Sequence, residues 1–127
     1  YELFKLVDDN DLGLIAKRPI ANGAWRANEN PNVHSAPTNY AEEYFRRAGI
    51  MTRLGNIINE PEDRIMTSMG YIFSFNDIDV GIIGTQNPKH LLSNIDMYSE
   101  CLKISREVIS ELNRRFDEFG KNWDQRT

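Results

Sequence analysis

The chain has 127 residues, of which 40% are hydrophobic and 27% are charged, and its formal net charge is −4. This composition is ordinary for a globular protein and does not indicate a disordered or fibrous chain. The acidic balance, with a pI near 5.2, argues against a protein that binds nucleic acid through a broad basic surface. At this length we expect one domain, residues 1–127, with a modest core.

Cysteine content and hydropathy indicate the cellular compartment in which we expect the protein. Cys101 is the only cysteine, so no internal disulfide can form. We expect a reducing, cytoplasmic environment and a place for Cys101 within a helix. No apolar run approaches the roughly 18 residues needed to cross a bilayer, and no leader opens the chain, so we expect no membrane association. Because the chain starts at Tyr1, directly on an amphipathic stretch, we expect that a segment upstream has been removed.

The first predicted elements are a helix, a strand and a long loop. Residues 3–7 have the apolar spacing of a helix, which ends in the polar run 8–11. A strand is predicted at about residues 13–17, where apolar residues do not alternate with polar ones, as is typical of a parallel strand buried on both faces. Residues 28–39 contain two prolines among small polar residues and predict an irregular loop, in which His34 is solvated.

Two helices and a second strand are predicted next. Residues 40–54 place apolar and charged side chains on opposite sides of a helix, which Gly49 weakens. Pro61 suits the first position of a helix over residues 61–75. Residues 78–83 are β-branched and few enough to form a second buried strand.

A turn and two further helices complete the chain. Asn87 is a predicted N-cap and Pro88 the first residue of a short helix. The buried side of that helix is predicted to consist of Leu91, Leu92 and Ile95. A final helix is predicted at about residues 102–119, ended by Gly120. Its apolar positions recur every three or four residues, at Ile104, Val108, Leu112, Phe116 and Phe119.

The segment after the first strand is a candidate binding site, because ligands of parallel sheets lie at the carboxyl ends of the strands. Residues 17–23 begin with two cations, Lys17 and Arg18. The arginine can make forked contacts with a carboxylate or a phosphate. Alternatively, one of the two cations neutralises a buried acid on a neighbouring strand. Trp25, just beyond, either caps a pocket or seals the rim of the sheet.

The segment after the second strand is the other candidate. Residues 84–88 open a helix, whose free N–H groups and partial positive charge attract anions. Gly84 would let an anion approach the backbone, and Thr85 adds a hydroxyl donor. His90 and Asn94 lie four residues apart and would share one face of the helix. An ordinary structural turn is the alternative interpretation.

Other kinds of site find no support in the sequence. His34 and His90 have no cysteine or carboxylate at metal-ligand spacing, so no metal site is expected. The motifs of nucleophile elbows, P-loops and dinucleotide-binding glycine turns are absent. Asp77 and Asp79 flank the start of a strand, where a solvated rim is expected.

Two segments resemble the aldo-keto reductase family, in the branch related to aldose and galactose dehydrogenases. They are LGLIAKRPIANGAW, residues 12–25, and IDVGIIGTQNPKHLLSNI, residues 78–95. The resemblance implies an α/β fold that is the C-terminal portion of a (β/α)8 TIM barrel, with about two parallel strands and flanking helices. A complete barrel has roughly 250 residues, so this portion is incomplete as a barrel.

The resemblance also implies an activity. Members of the family transfer a hydride between NADPH or NADH and a carbonyl, using an Asp, Tyr, Lys and His tetrad on earlier strands. None of the four can be assigned here, so we predict no catalytic residue in this chain. In the complete protein the implied cofactor is NADP or NAD, and the implied substrate is a small carbonyl or sugar-like molecule.

Cofactor contacts can be carried over from the family in part. After the first strand the resemblance implies contacts from Ile20, Ala21 and Asn22, and we add Lys17 and Arg18 as the two cations at the strand end. After the second strand it implies contacts from Gly84, Thr85, His90, Ser93 and Asn94, and we add Gln86 as a residue of the same turn. Lys17 stands where many members stack an aromatic ring on the nicotinamide. Gly84 and His90 stand where many NADPH-preferring members have cations, so the resemblance does not imply a strong preference for NADPH.

Three functional hypotheses follow. The first is the C-terminal half of an oxidoreductase, which is inactive without the N-terminal half of its barrel. The second is a noncatalytic barrel-half module that associates with itself or with a partner chain, because two parallel strands leave both sheet edges unpaired. The third is a module that binds a nucleotide weakly without turnover.

Overall fold

The computed structural model describes residues 2–27, 39–100 and 102–124. The residues predicted as a solvated histidine, His34, and as a helical cysteine, Cys101, lie outside these ranges, as does most of the loop predicted at 28–39. The described chain is a mixed α/β fold with a two-stranded parallel sheet. In chain order its elements are α1 (Glu2–Asp9), β1 (Ile15–Lys17), a 3-10 turn (Ala21–Gly23), α2 (Ala24–Ala27), α3 (Glu42–Thr52), α4 (Arg64–Ile72), β2 (Val80–Ile82), α5 (Pro88–Ser99) and α6 (Arg106–Phe119).

The two strands pair in parallel, with Ile15 opposite Val80 and Lys17 opposite Ile82. Each strand covers three residues, within the segments predicted from the sequence. Asp79 is exposed beside the start of β2, as expected, and its carboxylate also accepts a hydrogen bond from the Leu14 N–H just before β1. The long connection between the strands carries α2, α3 and α4, as a parallel crossover requires.

One face of the sheet is covered and the other is open. On the covered face the ring of Phe73 lies against Gly81. The side chains of Ile15, Lys17, Val80 and Ile82 form what we call the open face. Ile15 is 56% exposed and Ile82 53%. The prediction that both strands are buried on both faces is therefore wrong for the described chain, because none of its helices covers the open face.

The starts of three helices follow from side-chain capping. The carboxylate of Asp63 accepts the Ile65 N–H, so α4 begins at Arg64 and not at Pro61 as predicted. Asn87 caps α5 with Pro88 at its first position, as predicted. Ser105 caps α6 through the Val108 N–H. The last helix therefore begins four residues after the predicted start at 102, and Ile104 precedes it.

Apolar residues of the last two helices are more exposed than predicted. The predicted buried side of α5, formed by Leu91, Leu92 and Ile95, is exposed. On α6, Val108 is fully buried whereas Phe116 and Phe119 are exposed, although α6 ends at Gly120 as predicted. The helical spacing was read correctly, but no described element packs against these positions.

Among the residues that the structure describes, the core consists of two small clusters. One is built on Ile57, Ile104 and Val108, with Trp25 packed against it. The other is built on Ile65, Met69 and Leu102, with Ile20, Phe73, Ile83 and Met97 among the residues around it. The second cluster lies under the carboxyl ends of both strands and fixes the two loops that follow them. Within the described residues, no helix is long and apolar enough to span a membrane.

Candidate functional site

A cleft of about 970 Å³ lies where the two strands end. Because Lys17 and Ile82 are paired in register, the segments that follow β1 and β2 leave the sheet side by side. Helix α5 runs along the cleft and contributes one of its faces. The volume is at the upper end of the range of about 300–1,000 Å³ that is usual for small-molecule sites.

The two segments predicted separately from the sequence meet in this cleft. Every predicted site residue except Ala21 lines it: Lys17, Arg18, Ile20, Asn22, Gly84, Thr85, Gln86, His90 and Asn94. Ala21 belongs to the same loop but does not reach the lining. Trp25 packs on the core and lies outside the lining, so it does not cap the cleft.

The loop after β1 is held in an uncommon backbone conformation. Arg18, Ala21 and Asn22 have positive φ angles of 58°, 45° and 57°, and Gly23 follows with 71°. Hydrogen bonds from the Ala21 N–H to the Arg18 carbonyl (2.8 Å) and from the Gly23 N–H to the Ile20 carbonyl (2.7 Å) close the loop. Left-handed conformations in residues other than glycine are costly, and they concentrate at functional sites.

Arg18 is fixed by two tyrosines of the segment that begins α3. Its Nη1 donates a hydrogen bond to the Tyr44 hydroxyl at 3.0 Å, and its Cζ lies 4.9 Å from the centre of the Tyr40 ring. The two rings are 6.1 Å apart. Partial desolvation and the hydrogen bond to Tyr44 raise the pKa of Tyr40 above its ordinary value, against the opposing charge of Arg18. Both tyrosines lie outside the cleft lining.

The loop after β2 is organised by side chains that bond to the backbone. The Asn87 N–H donates to the Thr85 hydroxyl at 3.2 Å, and the Lys89 N–H donates to the Asn87 side-chain oxygen at 3.0 Å. Thr85 is thereby held at the edge of the cleft. A Cβ added at Gly84 would meet nothing within 4 Å, so the backbone at this position is open to a ligand.

The charge of the cleft is opposite in sign to that of the protein. The chain has 19 aspartates and glutamates against 15 lysines and arginines. Among the described residues, however, the lining contains Lys17, Arg18 and His90 and no carboxylate. Its other polar groups are hydroxyls and amides, including those of Ser93 and Asn94. The cleft is therefore suited to an anionic ligand that accepts hydrogen bonds.

Sequence reasoning missed part of the lining. Ile65 from α4 and Met97 from α5 form an apolar side of the cleft, and they also pack in the core beneath it. Both are apolar residues of helices, but nothing in the sequence showed that they border a cavity. Tyr40 and Tyr44 were missed as well, since nothing in the sequence places them beside Arg18.

The alternative predicted for the two cations is not observed in the described chain. Arg18 contacts tyrosines and Lys17 lies on the open face, and neither has a carboxylate partner among the described residues. No cluster of three or more histidine, cysteine, aspartate or glutamate side chains that could hold a metal ion is found within the described ranges.

A second, smaller groove of about 380 Å³ lies along β2 and α5. Its lining is mainly apolar and includes Phe73, Val80, Leu91, Ile95 and Tyr98.

Comparisons with protein-family models, with curated proteins and with solved structures gave no match for this chain. The functional argument therefore depends on the geometry and charge of the first cleft.

Proposed function

We propose that this chain contributes part of the dinucleotide site of an NAD(P)H-dependent oxidoreductase of the aldo-keto reductase type. The observation that supports the proposal most is the meeting of two sequence segments in one cleft. Residues 17–22 and 84–94 were expected to face the dinucleotide both from their place after the two strands and from the resemblance, and parallel pairing of β1 with β2 brings them together.

The chemistry of the cleft fits a dinucleotide diphosphate. Arg18 offers a forked donor for phosphate oxygens, and Thr85 and Gln86 add neutral polar groups. The absence of carboxylates from the described lining removes the main source of repulsion. Apolar contact with a base or sugar would come from Ile65 and Met97. When bound, the cofactor would supply the hydride for reduction of a small carbonyl or sugar-like substrate.

Coenzyme preference is expected to be weak. Gly84 brings no side chain to the adenosine end of the proposed site, and His90 is exposed on α5. Neither provides the fixed positive charge that would select a 2′-phosphate. We therefore expect NADH and NADPH to bind with similar affinity at neutral pH.

The open face supports the barrel part of the proposal. A two-stranded parallel sheet with one face covered by helices and the other exposed is what the last strands of a barrel would present without their neighbours. The exposed Ile15, Val80 and Ile82 would then face the barrel interior. Since no catalytic residue is assigned to this chain, we expect no carbonyl reduction by the chain alone.

NMR titration of the isotope-labelled chain with NADH and with NADPH tests this function. We expect weak, saturable shifts confined to residues 17–23 and 84–97, with an affinity well below that of a complete barrel. Lys17→Gln should weaken binding, and Lys103→Gln, which removes an exposed cation outside the cleft, should leave it unchanged. Shifts scattered over the surface, equal effects of the two variants, or sub-micromolar affinity would contradict the proposal.

A noncatalytic module that associates through its open face is the second candidate. It is favoured by the exposure of Val80 at 48% beside Ile15 and Ile82, and by the second groove along β2. Exposed apolar strands with free edges promote association. Sedimentation equilibrium distinguishes the two candidates in part: a monodisperse monomer counts against the module, and a defined dimer that binds neither coenzyme supports it.

A further inference from the structure

We propose that Tyr40 and Tyr44 are positioning residues for Arg18, and that they hold its guanidinium in the cleft to bind the phosphate oxygens of a ligand. The inference rests on the proposed function in one respect only, since the diphosphate of a dinucleotide is the expected anion. The resemblance assigns neither tyrosine, and neither lines the cleft. Both would act through Arg18.

The contacts leave most of the guanidinium free. An arginine has five N–H donors, and the Tyr44 hydroxyl takes a hydrogen bond from Nη1. The guanidinium carbon lies over the Tyr40 ring, and this contact uses none of the donors in a conventional hydrogen bond. The remaining donors are therefore available at the edge of the guanidinium, and this edge is the one that binds phosphate in forked geometry.

Both contacts restrain Arg18 without neutralising it. A carboxylate partner would fix the side chain equally well, but it would cancel the charge that attracts an anion. Tyr40 carries no negative charge at neutral pH, since an ordinary phenol already has a pKa near 10 and the pKa of Tyr40 is raised further. The acid on the same helix turn, Glu43, is already paired with Arg46 and Arg47 at 2.6 Å each. The positive charge of Arg18 thus remains uncompensated by the described residues around it.

The backbone conformation of Arg18 is energetically unfavourable. A φ of 58° is unfavourable for arginine, and such a conformation persists where the surrounding structure enforces it. The two tyrosine contacts, one polar and one aromatic, fix the guanidinium and reduce the rotamer freedom that an arginine would otherwise lose on binding. An anion would then meet a donor group that is already oriented.

Inorganic pyrophosphate is the probe for this inference, titrated by NMR at fixed ionic strength. Arg18→Gln should weaken binding by roughly tenfold or more, since it removes charged hydrogen bonds. Tyr44→Phe, which removes one hydroxyl, should weaken binding about fivefold. Tyr40→Leu should weaken it roughly two- to fivefold, and Tyr40→Phe, which keeps the ring, should restore wild-type affinity. Lys121→Gln, a cation outside the cleft, should have no effect.

Thermal unfolding of each variant separates positioning from a purely structural role. Wild-type affinity in both Tyr44→Phe and Tyr40→Leu, tighter binding in either, or a lowered unfolding midpoint with unchanged affinity would overturn the inference. So would failure of the wild-type chain to bind pyrophosphate. If the pyrophosphate pattern holds but NADH causes no shifts in the cleft, the inference stands and the proposed dinucleotide function fails.

Discussion

Asp79 and Leu14 form two hydrogen bonds with each other just before the two strands begin. The Leu14 N–H donates to the Asp79 carboxylate at 2.7 Å, and the Asp79 N–H donates to the Leu14 carbonyl at 3.0 Å. The two residues are 65 positions apart in the chain. This reciprocal pair sets the register that brings Lys17 beside Ile82 and so aligns the two sides of the cleft.

Asp79→Ala should therefore destabilise the fold. The substitution leaves the Leu14 N–H without its partner, and we expect a loss of about 1 kcal/mol in the free energy of unfolding. Urea denaturation followed by circular dichroism measures the change. Asp117→Ala, which removes an exposed acid from α6, serves as the control and should stay within about 0.5 kcal/mol of wild type.

Two adjacent arginines on α6 should differ sharply in their effect on stability. Arg115 is 3% exposed and donates to the carbonyls of Met51 and Gly55 at 2.8 and 3.0 Å, which ties α6 to the end of α3. Arg114 is 53% exposed and pairs with Glu111 and Glu118 on its own helix. The same substitution at the two positions therefore compares a buried tether with a surface ion pair.

We expect Arg115→Met to cost about 2–4 kcal/mol, because it leaves the Met51 and Gly55 carbonyls without their hydrogen-bond donor and removes one of the two arginines paired with Glu111. Arg114→Met should cost less than about 1 kcal/mol. Denaturant titration of both variants gives the comparison, and similar losses in the two would show that the tether is not a major source of stability.

Gly70 should not tolerate alanine although it lies in a helix. A Cβ at this position would lie 2.6 Å from Ile104 Cγ2 and 3.3 Å from the Leu102 carbonyl oxygen. Alanine improves helix propensity by about 1 kcal/mol, but overpacking costs roughly 1–3 kcal/mol. We expect a net loss in thermal unfolding experiments. Gly13→Ala, whose Cβ would make an ordinary contact at 3.6 Å, is the control, and a stabilised Gly70→Ala would refute the close packing.

Acid should destabilise the chain through two glutamates. Hydrogen bonds from Arg46 and then Arg47 lower the pKa of Glu43 from 4.5 to about 2. Those from Arg114 and then Arg115 lower the pKa of Glu111 from 4.5 to about 2. A pKa that is lower in the folded state gives stability that is complete above the unfolded value and lost as the pH falls through the folded value.

The midpoint of thermal unfolding should therefore decrease between pH 4.5 and about 2. The double variant Glu43→Gln, Glu111→Gln should show a shallower decrease over this window. Circular dichroism at a series of pH values measures both curves. Parallel curves for the variant and the wild type would mean that other groups control the acid response.

Local signals in the sequence predicted the order of elements well. Capping and proline preferences located the start of α5 at Asn87–Pro88, an apolar run without alternation located β1, and a β-branched run located β2. The start of α4 was misplaced at Pro61, because the Asp63 carboxylate captures the Ile65 N–H and caps the helix later. The boundary was set by a side-chain hydrogen bond that several acids in that segment could have made.

Burial was harder to predict than periodicity. The spacing of Leu91, Leu92 and Ile95 indicates an apolar side of a helix, but spacing does not say whether another element covers it. In the described chain these residues are exposed. The same limit applies to Ile15, Val80 and Ile82, whose strand pattern would suit a larger sheet.

The candidate site was predictable to the extent that it follows strand ends. Residues after β1 and β2 could be chosen because ligands bind at the carboxyl ends of parallel strands. The contacts that orient them could not, since Arg18 and Tyr44 are 26 positions apart and nothing local couples them. Long-range contacts of this kind emerge only from the packed structure.

The two sides of the cleft are joined by a sheet of only three paired positions. A ligand that touches both sides would therefore act as a non-covalent cross-link between distant parts of the chain. Closing such a long loop is entropically unfavourable, and binding to the folded state alone raises its stability. Occupancy of the cleft should accordingly register as slower hydrogen exchange at the β1 and β2 amides, even where the ligand contacts neither strand directly.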